Sequence, residues 1–99
     1  HINSALKLIK HYQTKEPGNS VLYTLLGQAY WQEGNLDNAQ INFKKALKLD
    51  PKQLEPRFNL ARIALEQNDI KKSELEYLGV LGVNPYNETA MIKLAQLSY

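Results

Sequence analysis

The sequence predicts an all-α fold, an α-solenoid of antiparallel helix hairpins that wind into a superhelix. Prolines recur at one constant interval, at Pro17, Pro51 and Pro85, and a period of about 34 residues is typical of a helical solenoid repeat. Within each period, apolar residues follow the i, i+3, i+4 spacing of amphipathic helices. Short turns separate the two helices of a period, so each pair is expected to lie antiparallel.

A shift of one period, the interval from Pro17 to Pro51, superposes side chains of similar size as well as similar polarity. The aligned sets are Ala5, Ala39 and Ser73; Ile9, Phe43 and Tyr77; Leu26, Leu60 and Leu94; and Gly27, Ala61 and Ala95. Small residues let the two helices of a hairpin approach closely, while aromatic rings fill the adjoining space. The periods are therefore expected to share one packing arrangement.

The first complete period begins with a helix predicted at residues 20–33. Asn19 or Ser20 can cap its N-terminus, because both side chains accept hydrogen bonds from free backbone amides. Gly34 follows the helix and can adopt the left-handed conformation that commonly ends one.

The second helix of this period is predicted at residues 37–49. Asp37 is expected to cap it by accepting hydrogen bonds from the amides of the first turn. At the other end, Asp50 precedes Pro51, and a residue before proline is disfavoured in the helical region. The period therefore closes at this proline.

The next period repeats the plan, with helices predicted at residues 54–67 and 71–83 and Asn68 in the turn between them. Outside the complete periods, residues 2–15 match a second helix and residues 88–98 match a first helix. We expect one domain over the whole chain, with two full repeats flanked by half repeats. The assigned ranges are 1–17 for the leading half, 20–53 and 54–87 for the full repeats, and 88–99 for the trailing half.

Composition limits the functional classes. Ten acidic residues offset twelve basic ones, and the net charge of +2 is too small for the basic field typical of nucleic-acid-binding domains. No apolar run reaches the roughly 18 residues that a membrane-spanning helix needs, so neither nucleic-acid binding nor membrane insertion is expected. The lack of cysteine excludes disulfides and thiolate metal sites, but it leaves the cellular compartment undetermined.

Both complete units carry a recognisable set of residues at fixed spacing. The unit that begins at Ser20 has Tyr23, Leu26, Gly27, Tyr30, Ala39, Phe43, Ala46 and Pro51. The unit that begins at Leu54 keeps Leu60, Ala61, Ala64, Ser73, Tyr77, Val80 and Pro85. This pattern resembles the tetratricopeptide repeat family, and the flanking halves extend the resemblance over nearly the whole chain. Arg57 departs from the pattern, since an aromatic or bulky residue is usual at its position.

The resemblance implies a non-catalytic scaffold that binds a peptide or helix of a partner protein in a concave groove. The first helices of successive repeats line this groove in the family. Their remaining exposed stripes supply the candidate groove residues, which are Thr24, Gln28, Trp31, Glu55, Phe58, Asn59, Arg62, Thr89, Ile92, Lys93 and Gln96. Apolar anchors, amides and charges in one stripe suit a peptide ligand. Trp31 has a second interpretation, in which it packs against the next hairpin.

Chaperone-binding members of the family hold the C-terminal carboxylate of a ligand with a set of lysines and asparagines. Asn59 and Lys93 match two of those positions. Thr24, Gln28 and Thr89 stand where lysine, asparagine and lysine are usual. Losing two cations removes much of the charge-assisted hydrogen bonding of such a site, so the resemblance disfavours a chaperone tail as the ligand.

No catalytic, cofactor or metal site is predicted. The chain has no phosphate-binding glycine loop and no serine, histidine and acid arrangement, and His1 and His11 lack clustered ligands. Two alternative functions remain open. One is a role as accessory module of a larger enzyme. The other is self-association through apolar residues exposed on the end helices, which are Ile2, Leu6, Ile9, Met91 and Leu94.

The second helices carry two further features. Their outward faces are expected to present solvated lysines, namely Lys44, Lys45, Lys48, Lys71 and Lys72. Gly79 and Gly82 lie inside a predicted helix, where glycine is about 1 kcal/mol less favourable than alanine. We expect tight packing to account for both glycines, and we expect their hairpin to be the less stable one.

Overall fold

The computed structural model describes residues 2–98 of the chain and the side chains of residues 3–97. This part contains six α-helices and no strand: α1 (Ile2–Lys15), α2 (Ser20–Gln32), α3 (Leu36–Leu49), α4 (Glu55–Glu66), α5 (Ile70–Val83) and α6 (Glu88–Ser98). The predicted all-α fold is confirmed, and every helix end lies within one residue of its predicted position. The expectations for His1 and for the side chain of Ile2 fall outside the described residues. None of the helices in residues 2–98 is long and apolar enough to cross a membrane.

The helices form two compact units. The first contains α1, α2 and α3 and ends at Gln53, and the second begins at Leu54 and contains α4, α5 and α6. In the first unit, α2 packs against both α1 and α3. In the second unit, α5 packs against both α4 and α6. Each unit thus consists of one hairpin and one additional helix.

Both hairpins have a tight turn, between α2 and α3 and between α4 and α5. Gly34 has a φ of +83° and Asn68 a φ of +60°, so both lie in the left-handed region. In each turn, the amide of the following residue donates back to a carbonyl in the last turn of the preceding helix, at 2.9 Å after Gly34 and 2.8 Å after Asn68. This hydrogen bond with a left-handed residue is the Schellman ending of a helix.

Asn19, Asn35 and Asp69 cap the N-termini of α2, α3 and α5. Each side chain accepts a hydrogen bond from a backbone amide of the first turn, at 3.0, 3.2 and 3.1 Å respectively. The cap predicted for α2 at Asn19 is confirmed. The cap predicted at Asp37 is wrong, because α3 begins at Leu36 and Asp37 therefore lies inside its first turn. There its carboxylate interacts favourably with the positive end of the helix dipole.

The core of the first unit lies on both sides of α2. Three residues of α3 have no exposed surface: Ala39, Phe43 and Ala46. A second cluster joins Leu6 of α1 to Leu26 and Ala29 of α2, and Ile9 and Tyr30 pack against it. The expectation that Leu6 is exposed is wrong, since α1 buries this side chain against α2.

The core of the second unit is built mainly by the hairpin of α4 and α5. Its fully buried residues are Leu60, Ala61, Ile63, Ala64, Ser73, Tyr77 and Val80, joined by Ala90 of α6. The small residues Ala61 and Ser73 have no exposed surface, as their alignment with Gly27 and Ala39 predicted. At the end of this unit, Met91 is exposed and Leu94 is half-buried.

Only one of the two glycines of α5 is explained by tight packing. A Cβ atom on Gly79 would lie 2.7 Å from Nη1 of Arg57, so the arginine side chain occupies the space above this glycine. A Cβ on Gly82 would meet no atom within 4 Å. The expectation of tight packing is therefore wrong for Gly82.

The first unit has different residues at the two equivalent positions. Tyr23 aligns with Arg57, and Lys45 aligns with Gly79, after a shift of one period. Nζ of Lys45 lies 4.8 Å from the centroid of the Tyr23 ring, which is a cation–π contact. In both hairpins a cationic side chain thus contacts the other helix of the hairpin, but it comes from the second helix in the first unit and from the first helix in the second unit.

Candidate interaction surface

The candidate groove residues lie on α2, α4 and α6, the first helices of the predicted repeats. The sets on α4 and α6 are equivalent under the one-period shift: Glu55 with Thr89, Phe58 with Ile92, Asn59 with Lys93, and Arg62 with Gln96. Spacing of three, four and seven residues places each set on one face of its helix. Each unit therefore presents its own part of the candidate surface.

On α2, the side chain of Thr24 is not accessible. It is 2% exposed, and its hydroxyl donates a hydrogen bond to Oε1 of Gln53 at 3.1 Å. The expectation that Thr24 lies in an open stripe is therefore wrong. Gln28 on the following turn is half-buried.

Trp31 packs inside the hairpin of the first unit. Its ring meets the ring of Phe43 edge to face, with the centroids 6.4 Å apart and the planes at 85°, a geometry that aromatic pairs favour. The side chain is half-buried. Part of its surface thus supports Phe43, and the rest remains accessible to a ligand.

On α4, exposed charges flank buried and half-buried residues. Glu55 and Arg62 are exposed, and Phe58 is half-buried. The Phe58 ring packs on the ring of Tyr77 in α5, with the centroids 6.0 Å apart. Phe58 therefore contributes to the hairpin as well as to the candidate surface.

Asn59 is a buried polar residue without a hydrogen-bond partner at its amide nitrogen. The residue is 7% exposed, and its Nδ2 makes no hydrogen bond within the described part of the chain. An unsatisfied buried amide is unfavourable. Asn59 is therefore buried rather than part of an open stripe, and a ligand carbonyl or carboxylate that reached Nδ2 would supply the missing acceptor.

On α6, all four candidate residues are exposed: Thr89, Ile92, Lys93 and Gln96. They offer one apolar side chain, one cation and two neutral hydrogen-bonding groups. Together with Glu55 and Arg62 of the same unit, they make a surface of mixed charge.

Burial and a nearby charge shift the pKa of Tyr77, whose ring packs on that of Phe58. Burial raises the pKa of the Tyr77 hydroxyl above its ordinary value of 10.0, and the positive charge of Arg62 partly offsets this effect. Tyr77 therefore loses its proton less readily than an exposed tyrosine does. Among the described residues, no three His, Asp or Glu side chains are grouped so that they could hold a metal ion.

Leu25 was missed as a candidate on α2. It aligns with Asn59 after a shift of one period and with Lys93 after a shift of two, and it is 42% exposed. The repeat alignment identifies this position, but an apolar side chain there gives no sequence signal of its own for binding. It gives the first unit an apolar contact at the position where the other first helices carry polar groups.

Comparisons with known proteins agree with this geometry. The sequence profile of the tetratricopeptide repeat matches residues 21–53. A solved structure described as the first tetratricopeptide repeat domain of Spaghetti (RPAP3), bound to the HSP90 peptide SRMEEVD, has the same fold. It matches with a TM-score of 0.84 and 20% sequence identity over 98% of this chain and 79% of that one.

Residues 21–53 of this chain form a tetratricopeptide repeat. Its profile match covers the α2–α3 hairpin, and the structural match extends the tetratricopeptide repeat fold to nearly all of the chain. A curated relative is the uncharacterized protein ycf37 of Pyropia yezoensis, which is 38% identical over 69 residues. That alignment covers 70% of this chain and 39% of the relative, so the chain spans about two fifths of the relative's length.

Proposed function

We propose that this chain is a non-catalytic scaffold that binds a peptide or helix of a partner protein in the groove its first helices are predicted to line. Tetratricopeptide repeats are in general interaction modules without catalysis of their own. The neighbour of the same fold holds a peptide, which supports this function for the present chain.

Asn59 is the observation that carries the proposal. Its amide is buried, and Nδ2 has no partner, so the free protein bears the cost of an unmade hydrogen bond. A peptide carbonyl seated on α4 would remove this cost. The exposed charges of Glu55 and Arg62 on the same helix face would then fix the direction and register of the bound peptide.

The composition of the surface indicates the class of ligand. The second unit offers Ile92 as an apolar contact and both signs of charge on α4 and α6, whereas α2 supplies the exposed Leu25 and part of Trp31. A ligand with apolar anchors between polar residues fits this set better than a strongly acidic tail. Buried Thr24 and neutral Thr89 provide no cation for a terminal carboxylate.

The test begins with a peptide array in which each sequence has either a free or an amidated C-terminus. The heptapeptide SRMEEVD is one of the probes, and we expect it to bind weakly for the reason just given. The affinity of the best array peptide is then measured by calorimetry with the unmodified chain and with Asn59→Leu. We expect about a tenfold or larger loss for Asn59→Leu, the effect of losing one buried hydrogen bond to the ligand.

Asn42→Leu is the matched control. Asn42 lies on α3, outside the candidate surface, and its Nδ2 already donates to the carbonyl of Asn38 at 2.8 Å. This variant should bind the peptide as the unmodified chain does. Asn59→Leu should also leave the free protein as stable or more stable, since it removes an unsatisfied group. Full affinity in a folded Asn59→Leu variant would show that the ligand makes no hydrogen bond to the Asn59 amide.

A further inference from the structure

The outward face of α5 presents a stripe to solvent that is uncharged beyond its first residue. Lys71, Leu75, Leu78 and Gly82 follow one another at intervals of four, three and four residues, the spacing by which two helices pair in a coiled coil. Leu75 is 59% exposed and Leu78 is 47% exposed. Beyond the lysine at its start, this stripe consists of two leucines and a bare glycine.

The equivalent face of α3 is different. A shift of one period aligns Leu78 with Lys44 and Gly82 with Lys48, and both lysines are exposed. Three of the four equivalent positions of α3 are thus charged, namely Asp37, Lys44 and Lys48, and the fourth is the exposed Ile41. Since the two helices occupy the same place in their hairpins, the packing of the hairpin does not explain Leu78 or Gly82 of α5.

Gly82 also lacks an explanation inside the protein. Glycine is unfavourable in a helix, and no atom of the described chain lies within 4 Å of the place where its Cβ would be. A glycine on a helix face lets another chain approach the backbone closely. The leucine side chains therefore project from this face, and the glycine leaves a recess in it that a side chain of a second helix can fill.

We infer that the outward face of α5 pairs with the same face of a second copy of this chain, with the two α5 helices antiparallel. In this arrangement Leu75 of each copy contacts Leu78 of the other, and the long side chain of Lys71 lies over Gly82 of the other copy. Such a two-fold contact is complementary to itself. A parallel arrangement would instead place the two Lys71 ammonium groups side by side.

Electrostatics favours the antiparallel pair. The last turn of α5 contains no basic residue, and its first turn contains no acidic one, whereas α3 has Asp37 in its first turn and Lys48 in its last turn. Helix C-termini carry a partial negative charge that a nearby cation stabilises. In the antiparallel pair, Lys71 of each copy supplies that cation beside Gly82, near the C-terminus of the other α5.

This interface is separate from the proposed peptide site, which uses α2, α4 and α6. It is short, so we expect a weak dimer whose population rises with protein concentration. Sedimentation equilibrium over a range of concentrations measures the dimerisation constant directly. Leu75→Lys and Leu78→Lys should each weaken dimerisation by about tenfold or more, because each places a cation in the centre of the contact.

Ile41→Lys on α3 is the matched control. Ile41 aligns with Leu75 and is equally exposed, at 60%, so the same substitution changes the same charge at the same place of the other hairpin. We expect its dimerisation constant to equal that of the unmodified chain. Circular dichroism confirms that each variant keeps its helices, since exposed substitutions have little effect on folding.

Engineered cysteines test the direction of the two helices, which is simple because the chain has no cysteine of its own. Lys71→Cys and Gly82→Cys chains should form a disulfide with each other when mixed under mild oxidation. Neither variant alone should form one. In the antiparallel pair, residue 71 of one copy lies beside residue 82 of the other, so two copies of the same residue are separated by the distance between residues 71 and 82 along the helix, about 16 Å.

Three results would overturn the inference. The first is a monomer at every concentration. The second is a dimer that survives Leu75→Lys and Leu78→Lys; loss of that dimer in Met91→Lys would place the contact on α6 instead. The third is cross-linking of Lys71→Cys with itself, which would indicate a parallel pair.

Discussion

Phe43 lies directly against the backbone of Gly27. A Cβ atom on Gly27 would be 2.6 Å from Cε1 and 2.7 Å from Cδ1 of the phenylalanine ring, and the ring has no exposed surface. Real Cβ contacts are essentially never this short, so one of the two groups would have to move. At the centre of the α2–α3 hairpin, the Phe43 ring therefore fills the space that a side chain at position 27 would occupy.

The first prediction concerns Gly27→Ala. In a solvent-exposed helix this change would stabilise by about 1 kcal/mol. Here it should lower the free energy of unfolding by about 1–3 kcal/mol, the usual effect of overpacking a core. Chemical denaturation followed by circular dichroism measures the difference. In a Phe43→Leu background, the penalty of Gly27→Ala should shrink, because the smaller side chain frees the space; an undiminished penalty would contradict the assigned contact.

The second prediction concerns Ala61→Leu in the hairpin of the second unit. Ala61 is fully buried, so three additional carbons have no room, and we expect a loss of about 1–3 kcal/mol. Ala95→Leu is the matched control, since Ala95 is the equivalent residue of α6 and is exposed. Thermal melting compares both variants. An unchanged melting curve for Ala61→Leu would refute the repeat register set by the prolines.

The third prediction compares the two glycines of α5. Gly82→Ala should stabilise by about 1 kcal/mol, because the added methyl group meets nothing and alanine favours the helix. Gly79→Ala should gain less, because the end of the Arg57 side chain must move away. The measurement is denaturation at low protein concentration, so that pairing through α5 does not contribute. A larger gain for Gly79→Ala than for Gly82→Ala would be inconsistent with the position of Arg57.

The fourth prediction concerns the dependence of stability on pH. Burial raises the pKa of Tyr77 above 10.0 in the folded protein, although Arg62 opposes the shift. Above that pH the unfolded chain releases the Tyr77 proton more readily than the folded one, so the folded state is progressively disfavoured. The contribution of Tyr77 is fully present below pH 10 and is lost as the pH rises through the folded pKa.

Tyr77→Phe isolates this effect, because the other tyrosines are common to both proteins. We expect the free energy of unfolding of the variant to fall less steeply between pH 9 and pH 11 than that of the unmodified chain. Urea denaturation at several pH values measures both slopes. Equal slopes would show that Tyr77 ionises as easily in the folded protein as in the unfolded one.

The helices could be predicted almost to the residue, because repeated prolines, glycine or asparagine turns and apolar periodicity are local signals. The accessibility of single side chains could not. Thr24 is buried with Gln53, a residue far away along the chain, and periodicity contains no information about such a contact. Trp31 likewise packs on Phe43 rather than facing only outward. The position of Asn59 on its helix was predictable, but its unpaired amide was not.

The first hairpin has the pair Tyr23 and Lys45 where the second has Arg57 and Gly79. This difference restricts how the sequence can be modified or extended. The two residues of each pair depend on each other, so an array built from copies of either hairpin must keep both residues of that pair. Copying Arg57 opposite a lysine would bring two cations into one space, and copying Tyr23 opposite a glycine would leave its ring without a cation. Divergence of the two hairpins at this place therefore keeps the contact only when both residues of a pair change together.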